Sequence, residues 1–432
     1  MKINKAALIA MLAVVGSAGL FHAGTTDAQV LDSLRQRAKQ KQAPQTEPGT
    51  QPQRQAGVPN LSREENAAIQ PAYQAVQAQD WPTATAAIPA AQAGATSPYG
   101  RFVVAQLQLE IGRGTQNLAM QSQAVDAMLA SGGAPAEIVS QLLAAQIAFA
   151  LDANNFTVAE AALTRFVEAN PTDLARMRQL AQVKIRLNKR PEALALYQRI
   201  IQATEAGGQR APEDLYRATL AAAYEGRMLA PAMELSRTLI TAYPTPDNWR
   251  SALGVYRELG GTEPGLQLDL YRLMRAAQAL TSERDYVEYA EAANRGAMFG
   301  EVKTAIEEGL SRNVIRGAAS YARTMLTNAE GRIADDRTTL AQQRTTAMAG
   351  SDGARVLRIA DAYFSYGQYA EAATLYRAAL EKGADANLAN TRLGASLALA
   401  GQRAEAEAAF RAVTGPRAEL ARFWMLWLST RT

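Results

Sequence analysis

From residue 61 onward, apolar and alanine positions recur three and four residues apart, the spacing of one face of an α-helix. Proline or glycine interrupts this pattern about every fifteen residues, as breaks between helices do. Aromatic residues make up 6% of the chain against 48% apolar residues overall, so alanine and leucine must form most core contacts. Alanine favours helices and offers little surface to a sheet. The pattern therefore predicts an all-α fold of short helices.

The helical segments also repeat with a period of 34 residues. A small residue such as Ala360 lets two helix axes approach, and a large one such as Tyr376 fills the space beside the crossing. A unit of this length cannot bury its apolar face alone, so neighbouring units must stack. The recurrences, each 34 residues apart, are Ala360/Gly394, Tyr363/Leu397, Gly367/Gly401, Ala372/Ala406 and Tyr376/Phe410, and farther upstream Asn154/Asn188, Ala159/Ala193 and Leu163/Tyr197.

The segment from Ala360 to Leu380, with Gly367, Glu371 and Ala372 between, resembles a tetratricopeptide repeat. Each unit of that family is a pair of antiparallel helices, and successive units stack into a solenoid. The resemblance implies an α-α superhelix of nine or ten helical hairpins. It also implies a concave groove that binds a protein or peptide.

The match to the repeat varies along the chain, which divides the sequence into predicted segments. Residues 61–139 match weakly, 140–311 match well, and 353–415 hold two further repeats. The spacing is lost between them, over 312–352, where we expect a pair of longer helices. Residues 416–432 are expected to form a C-terminal capping helix.

Residues 1–28 have the layout of a secretory signal peptide, with early lysines, an uncharged apolar run from Ala6 to Phe21 and small residues before a cleavage point after Ala28. The run is just short of the roughly 17–25 residues that span a bilayer, so an uncleaved anchor is the alternative to cleavage. No later stretch is long enough to span. Residues 29–60 carry eight glutamines and four prolines, which predicts a disordered linker. We therefore expect a periplasmic protein.

Charge and residue inventory exclude several kinds of chemistry. The single histidine, His22, lies in the predicted signal peptide, and the chain has no cysteine. Metal sites built on His or Cys, and nucleophiles activated by His, are therefore not expected after cleavage, and no cofactor is expected. The net charge of +4 is spread along all helices, so nucleic-acid binding is not expected either.

One enzymatic alternative needs only carboxylates. A glycan hydrolase requires two acids about 5 to 10 Å apart across a cleft. The candidates are Glu291, Glu301, Glu307 and Glu371, which are better explained as exposed residues of helix faces paired with nearby arginines.

The resemblance also indicates which side chains line the groove, namely exposed positions on the first helix of each unit. Arginines there can hold a carboxylate through two parallel hydrogen bonds. The groove candidates are Arg178, Gln182, Arg186, Arg217, Asp361, Phe364 and Ser365.

The last helix carries six consecutive apolar residues, Phe423 to Leu428, although solenoids usually end in a cap with a polar outer face. Either both sides of this helix are covered, or Phe423, Trp424 and Trp427 form a docking or self-association surface. The sequence as a whole predicts a non-enzymatic, protein-binding scaffold of the bacterial cell envelope.

Overall fold

The computed structural model describes residues 61–260 and 265–431. Within these ranges all regular structure is helical, with twenty α-helices, one 3-10 helix and no strand. The predicted all-α fold is thus confirmed. The predicted signal peptide and the Gln/Pro-rich linker lie outside the described residues. The chain divides into two compact units, with the boundary between Lys189 and Arg190.

The first unit contains three helical hairpins, in which α1 packs on α2, α3 on α4 and α5 on α6, followed by α7. Its core is made mostly of alanine, valine, leucine and isoleucine. The helices are α1 (Arg63–Gln77), α2 (Trp81–Gly94), α3 (Pro98–Gly114), α4 (Leu118–Ala130), α5 (Ala136–Asp152), α6 (Phe156–Ala169) and α7 (Leu174–Arg186).

The second unit begins with α8 and contains five helical hairpins, the long helix α15 and the final helix α20. Its helices are α8 (Arg190–Ala206), α9 (Glu213–Glu225), α10 (Leu229–Ala242), α11 (Pro246–Leu259), α12 (Leu266–Ala276), α13 (Glu283–Arg295), α14 (Phe299–Ser311), α15 (Ala319–Ala349), α16 (Gly353–Ser365), α17 (Tyr369–Glu381), α18 (Ala386–Leu399), α19 (Arg403–Arg411) and α20 (Ala418–Ser429). The 3-10 helix, Gly415–Arg417, precedes α20.

The two units together contain eight hairpins, and α7, α8, α15 and α20 stand outside them. In seven of the eight hairpins the residue two positions before the second helix has a left-handed backbone, and in the remaining one, α11–α12, that position lies outside the described residues. Asn188, two positions before α8, has the same backbone. Gly367 and Gly401 take φ values of +73° and +81°, which cost glycine nothing. Asn154 and Asn188 take φ values of +54° and +61°, a region that asparagine tolerates better than most residues. A left-handed residue at the same place in each turn between helices therefore explains why glycine and asparagine recur there 34 residues apart.

The small and large positions of the repeat pack against each other as the sequence predicted. Ala360 and Tyr376 are both fully buried. A side-chain carbon added to Gly394 would lie 2.5 Å from the ring of Phe410, so only glycine fits at that crossing. The close approach of α18 and α19 therefore depends on the absence of a side chain there.

The segment 312–352 contains one helix of 31 residues, α15, so the prediction of a pair of helices was wrong. No proline interrupts this segment, and Gly331 occupies open space within the helix. A single glycine costs a helix about 1 kcal/mol, which is too little to break a helix of this length.

The second unit closes on itself through α12 and α20. Eight of the eleven residues of α12 are buried, which makes it the central helix of the unit. The ring of Phe423 in α20 lies 6.4 Å from that of Trp249 and 6.0 Å from that of Tyr256. The indole N–H of Trp427 donates to the carbonyl of Ala276 over 3.0 Å.

These contacts decide between the two predictions for the last helix. Phe423 and Trp424 are fully buried and Trp427 is 4% exposed. Trp424 also stacks on Phe410 of α19, with ring centroids 5.9 Å apart. Because both sides of α20 are covered, the helix is a cap, and the prediction of an exposed docking helix was wrong.

Candidate functional site

A cavity of about 1090 Å³ lies in the second unit. Residues from eight helices, α11 to α18, line it. The long helix α15 contributes Glu330, Ile333 and Arg337 to the wall. None of the buried residues of α15 falls between Ala329 and Leu340, so this middle part of the helix borders the cavity rather than the core.

The floor of the cavity is an arginine–glutamate pair buried in the protein. Arg272 donates two hydrogen bonds to Glu301, over 2.9 and 2.7 Å. The Tyr289 hydroxyl donates to the same carboxylate over 2.7 Å. The Glu301 backbone N–H donates to the Ser365 hydroxyl over 3.0 Å, and the Arg272 guanidinium lies 4.1 Å from the Phe364 ring centre. Every charge on the floor is therefore neutralised and held in place.

The rim carries ion pairs between half-exposed side chains. Lys303 lies 2.7 Å from Glu330 of α15 and 3.5 Å from Glu307, and Arg275 donates to Glu308 over 2.9 Å. These side chains are 29% to 52% exposed. Exposed pairs of this kind contribute only about 0–1 kcal/mol each. A ligand with charges of its own can therefore exchange partners with them at little cost.

The tyrosines around the cavity are protonated at neutral pH. Burial raises the pKa of Tyr289 far above its ordinary value, and the neighbouring Glu301 raises it further. Burial also raises the pKa of Tyr369. For Tyr366, burial and the Asp336 carboxylate that accepts its hydrogen bond both raise the pKa. The phenols are hydrogen-bond donors here, and none is placed to act as a base.

Behind the floor, the charged network continues through Asp269 on α12. Its carboxylate lies 2.9 Å from Arg272, 3.0 Å from Arg392 and 2.6 Å from Arg417. Burial alone would raise the pKa of Asp269, but the three arginines lower it to about 2. Arg392 also contacts Asp361 over 2.6 Å. The network thus ties α12 to the C-terminal repeats.

Three groove candidates, Asp361, Phe364 and Ser365, belong to this buried cluster. They are 6%, 3% and 5% exposed, so the expectation that they line an open groove was wrong. The physical reason is closure of the second unit, which turns this face of α16 toward Arg272 and Arg392. Phe364 and Ser365 nevertheless line the cavity.

The other groove candidates lie on α7 and α9. Gln182 and Arg186 are exposed, and Arg178 is partly buried. Arg217 is exposed, but its guanidinium is held by Glu213 at 2.8 Å and by Asn248 at 3.0 Å. The structure does not bring the α7 residues and Arg217 into one site within either unit, and their role in binding a partner stays a prediction.

The carboxylates considered for a hydrolase are each engaged or apart from the cavity. Glu301 is paired with Arg272, Glu307 with Lys303, and Glu291 accepts a hydrogen bond from Tyr321. Glu371 is exposed and does not line the cavity. The geometry gives a hydrolase no support. No group of three or more candidate metal ligands occurs in the part of the chain that the structure describes.

Asp269, Arg272, Arg392 and Arg417 were not predicted from the sequence. Asp269 and Arg272 are three residues apart in the otherwise apolar stretch from Leu268 to Met274. Opposite charges at that spacing inside an apolar helix indicate a buried ion pair, so this signal was available. Nothing in the sequence near Arg392 or Arg417 points to Asp269.

No protein-family model and no curated protein matches this chain. Among solved structures, a tetratricopeptide repeat protein from Parabacteroides merdae is 14% identical, over 67% of this chain and 99% of its own, with a TM-score of 0.25. The Naa15/Naa10 complex bound to HypK-THB is 10% identical, over 82% of this chain and 70% of the matched chain, with a TM-score of 0.26.

A third match, the APC/C hetero-tetramer Cut9-Hcn1, is 14% identical, over 83% of this chain and 73% of the matched chain, with a TM-score of 0.19. The matches are to tetratricopeptide-repeat proteins and to assemblies that contain them, the family that the sequence resembles. At these identities the fold class rests on the helices of the chain itself. Among the described residues, no helix is both long and apolar enough to cross a bilayer.

Proposed function

We propose that the chain is a non-enzymatic scaffold of the bacterial cell envelope that binds a segment of a partner protein in the cavity of the second unit. The cavity is the observation that carries this proposal. Its volume, about 1090 Å³, is at the upper end of the roughly 300–1,000 Å³ usual for small-molecule sites, which favours a peptide segment as the occupant.

The chemistry of the walls supports binding rather than catalysis. A general acid or base requires a side chain whose protonation can change near neutral pH. The cavity instead offers carboxylates held in ion pairs and tyrosines whose pKa values are raised. Rigid helices present these groups in fixed positions, so binding a ligand costs little entropy for ordering the site.

The envelope location rests on the sequence. The apolar run of residues 6–21 and the small residues before position 29 indicate export, and the absence of cysteine is compatible with an oxidising compartment. A matched pair of fusions tests this, with alkaline phosphatase joined after residue 60 of the full chain or of a chain lacking residues 2–28. Export predicts activity of the first fusion alone, and equal activity of both would contradict it.

Crosslinking in intact cells tests the cavity. A photoreactive amino acid replaces Thr304, which lines the cavity, or Thr374, an exposed threonine of α17 outside it. Both hydroxyls donate to the carbonyl four residues earlier, so the two positions are closely matched. We expect a discrete adduct with an envelope protein from position 304 and none from 374.

An equal adduct at both positions, or none at 304 under conditions where the protein is folded and exported, would refute cavity binding. Incubation of the purified protein with peptidoglycan is the corresponding test for the hydrolase. Release of soluble glycan fragments, abolished by Glu307→Gln, would replace the scaffold by an enzyme.

A further inference from the structure

Helix α15 leaves most of its surface open. Its buried residues form one stripe, spaced so that they fall on a single side of the helix, and include Ala322, Met325, Ala329, Leu340 and Ala347. On the C-terminal half of α15, two arginines instead lie over the rings of Tyr363 in α16 and of Tyr366, the residue that follows α16. The Arg337 guanidinium is 4.8 Å from the ring centre of Tyr366, and that of Arg344 is 5.7 Å from the ring centre of Tyr363.

The two arginines lie on the same side of α15, two turns apart. Arg337 and Arg344 are seven residues apart, which is about 10.5 Å along an α-helix. The Tyr366 hydroxyl donates to Asp336 over 2.5 Å, so the ring beneath Arg337 is itself fixed. Contact with a ring face restrains a guanidinium but leaves its N–H groups free to donate.

Arg337 and Arg344 have no carboxylate within ion-pair distance among residues 61–260 and 265–431. Two arginines of α16, Arg355 and Arg358, are exposed and likewise unpaired in those ranges. The segment 337–360 contains these four arginines and one acidic residue, Asp352, so its net charge is +3. Asp352 caps α16 by accepting hydrogen bonds from backbone N–H groups. We call the four arginines the arginine strip.

We propose that the arginine strip binds an extended, acidic segment of a partner polypeptide, with two carboxylates three residues apart on Arg337 and Arg344. In the extended polyproline II conformation a chain has three residues per turn and advances about 3.1 Å per residue. Side chains three residues apart then lie on the same side, about 9 Å apart, close to the roughly 10.5 Å between the two arginines along α15. Each carboxylate can accept two parallel hydrogen bonds from an arginine.

Polar side chains beside the two arginines can contribute further hydrogen bonds to a peptide. Thr338 and Thr345, each one residue after an arginine, are exposed, and each hydroxyl donates to a carbonyl of its own helix. The hydroxyl oxygens keep acceptor capacity for peptide N–H groups. Gln342 is exposed between them and offers both a donor and an acceptor.

Two observations favour a polypeptide over a polyanion or a membrane. Asp335 and Asp336 directly precede Arg337, so a continuous row of phosphates would meet like charge at that end. The four arginines are also only at the lower limit of the roughly four to eight basic residues that segments binding an anionic bilayer carry, and Asp352 reduces their net charge to +3. Discrete carboxylates avoid both difficulties. The inference deepens the proposed function, because Arg337 also lines the cavity.

Fluorescence anisotropy with the full-length protein tests the proposal. The probe is a short labelled peptide with two glutamates three residues apart; one control has the glutamates adjacent, and a second has glutamine in their place. We expect binding of the first peptide, at least tenfold weaker binding of both controls, and weaker binding as salt is raised.

The matched variants lie on the same helix. The double substitution Arg337→Gln, Arg344→Gln should weaken binding about tenfold or more, whereas Arg323→Gln, Arg332→Gln removes two exposed arginines of α15 outside the strip and should leave binding unchanged. The lysine pair Arg337→Lys, Arg344→Lys keeps the charge but loses the two-pronged geometry, so it should bind with intermediate affinity.

Several outcomes would overturn the proposal. Equal binding of the spaced and adjacent peptides would remove the basis of the spacing argument, and equal losses from both double variants would indicate attraction by overall charge. Tighter, strip-dependent binding of phosphatidylglycerol vesicles or of an oligonucleotide would replace the peptide by that ligand. None of these results alters the crosslinking test at Thr304, so failure of the strip is distinguishable from failure of the cavity.

Discussion

Replacing Asp269 by asparagine removes the carboxylate that Arg272, Arg392 and Arg417 all contact, over 2.9, 3.0 and 2.6 Å. Asparagine has nearly the same shape, so the change isolates the charge. Removing one partner of a buried ion pair typically costs about 3–5 kcal/mol, because a desolvated charge is left uncompensated. We expect the free energy of unfolding of the second unit to fall by that amount.

The pKa of Asp269 gives a second, independent measure of how much the ionised carboxylate stabilises the second unit. Lowering a carboxyl pKa from 3.8 to about 2 corresponds to about 2 kcal/mol of stability, since each tenfold change in acidity is worth about 1.4 kcal/mol. This contribution is fully present above pH 3.8, the unfolded-state value, and is lost as the pH falls through 2. The stability difference between the parent and Asp269→Asn should therefore shrink by about 2 kcal/mol between pH 5 and pH 2.

Tryptophan fluorescence during urea unfolding measures the effect in the second unit alone. Of the four tryptophans, Trp81 lies in the first unit, and Trp249, Trp424 and Trp427 are buried in the second. A Trp81→Phe background therefore reports on the second unit. Asp335→Asn, the same substitution at an exposed position of α15, is the control and should be neutral. A loss below about 1 kcal/mol for Asp269→Asn, or a stability difference that grows on acidification, would refute the reasoning.

Three further substitutions test the packing described above, each by urea unfolding. Gly394→Ala should destabilise the second unit by about 1–3 kcal/mol through overpacking, whereas Gly254→Ala on α11, where nothing lies within 4 Å, should be neutral or stabilising. Phe423→Ala should cost about 3–5 kcal/mol and half-buried Met425→Ala clearly less; equal losses would contradict the cap. Ser62→Ala breaks the capping box of α1 and should cost the first unit about 1 kcal/mol, read from Trp81 fluorescence; an unchanged midpoint would mean that the cap contributes nothing.

The local part of the fold was predictable because it depends on neighbours in sequence. The left-handed residue at Gly367 and the close approach at Gly394 each impose a residue type at a fixed offset, and both appear as the 34-residue period. Closure of the second unit was not predictable. It depends on pairs such as Arg392 with Asp269 and Arg237 with Glu419, which are 123 and 182 residues apart.

The candidate site was only partly predictable for the same reason. Phe364 and Ser365 were identified and do line the cavity, but as buried residues. The cavity beside Phe364 and Ser365 is walled in part by α15. The polar composition of α15 did not indicate which residues this helix would pack against. Arg337 and Arg344 of α15 were not singled out, because the rings beneath them belong to Tyr366 and Tyr363, which come later in the chain, in and just after α16.

The central position of α12 affects how the molecule opens. In the first unit, helices pack mainly against their neighbours along the chain, so its end hairpin can fray while the others remain folded. In the second unit, by contrast, residues near the C-terminal end of the sequence, in α18 and α20 and the 3-10 helix, pack against α12. The amide hydrogens of α12 therefore become accessible to solvent only when the whole unit unfolds. Deuterium should therefore enter the backbone of α12 at the rate of complete unfolding. Folding of this unit must also wait for the chain's last residues, which gives it slow, all-or-none behaviour unusual for stacked repeats.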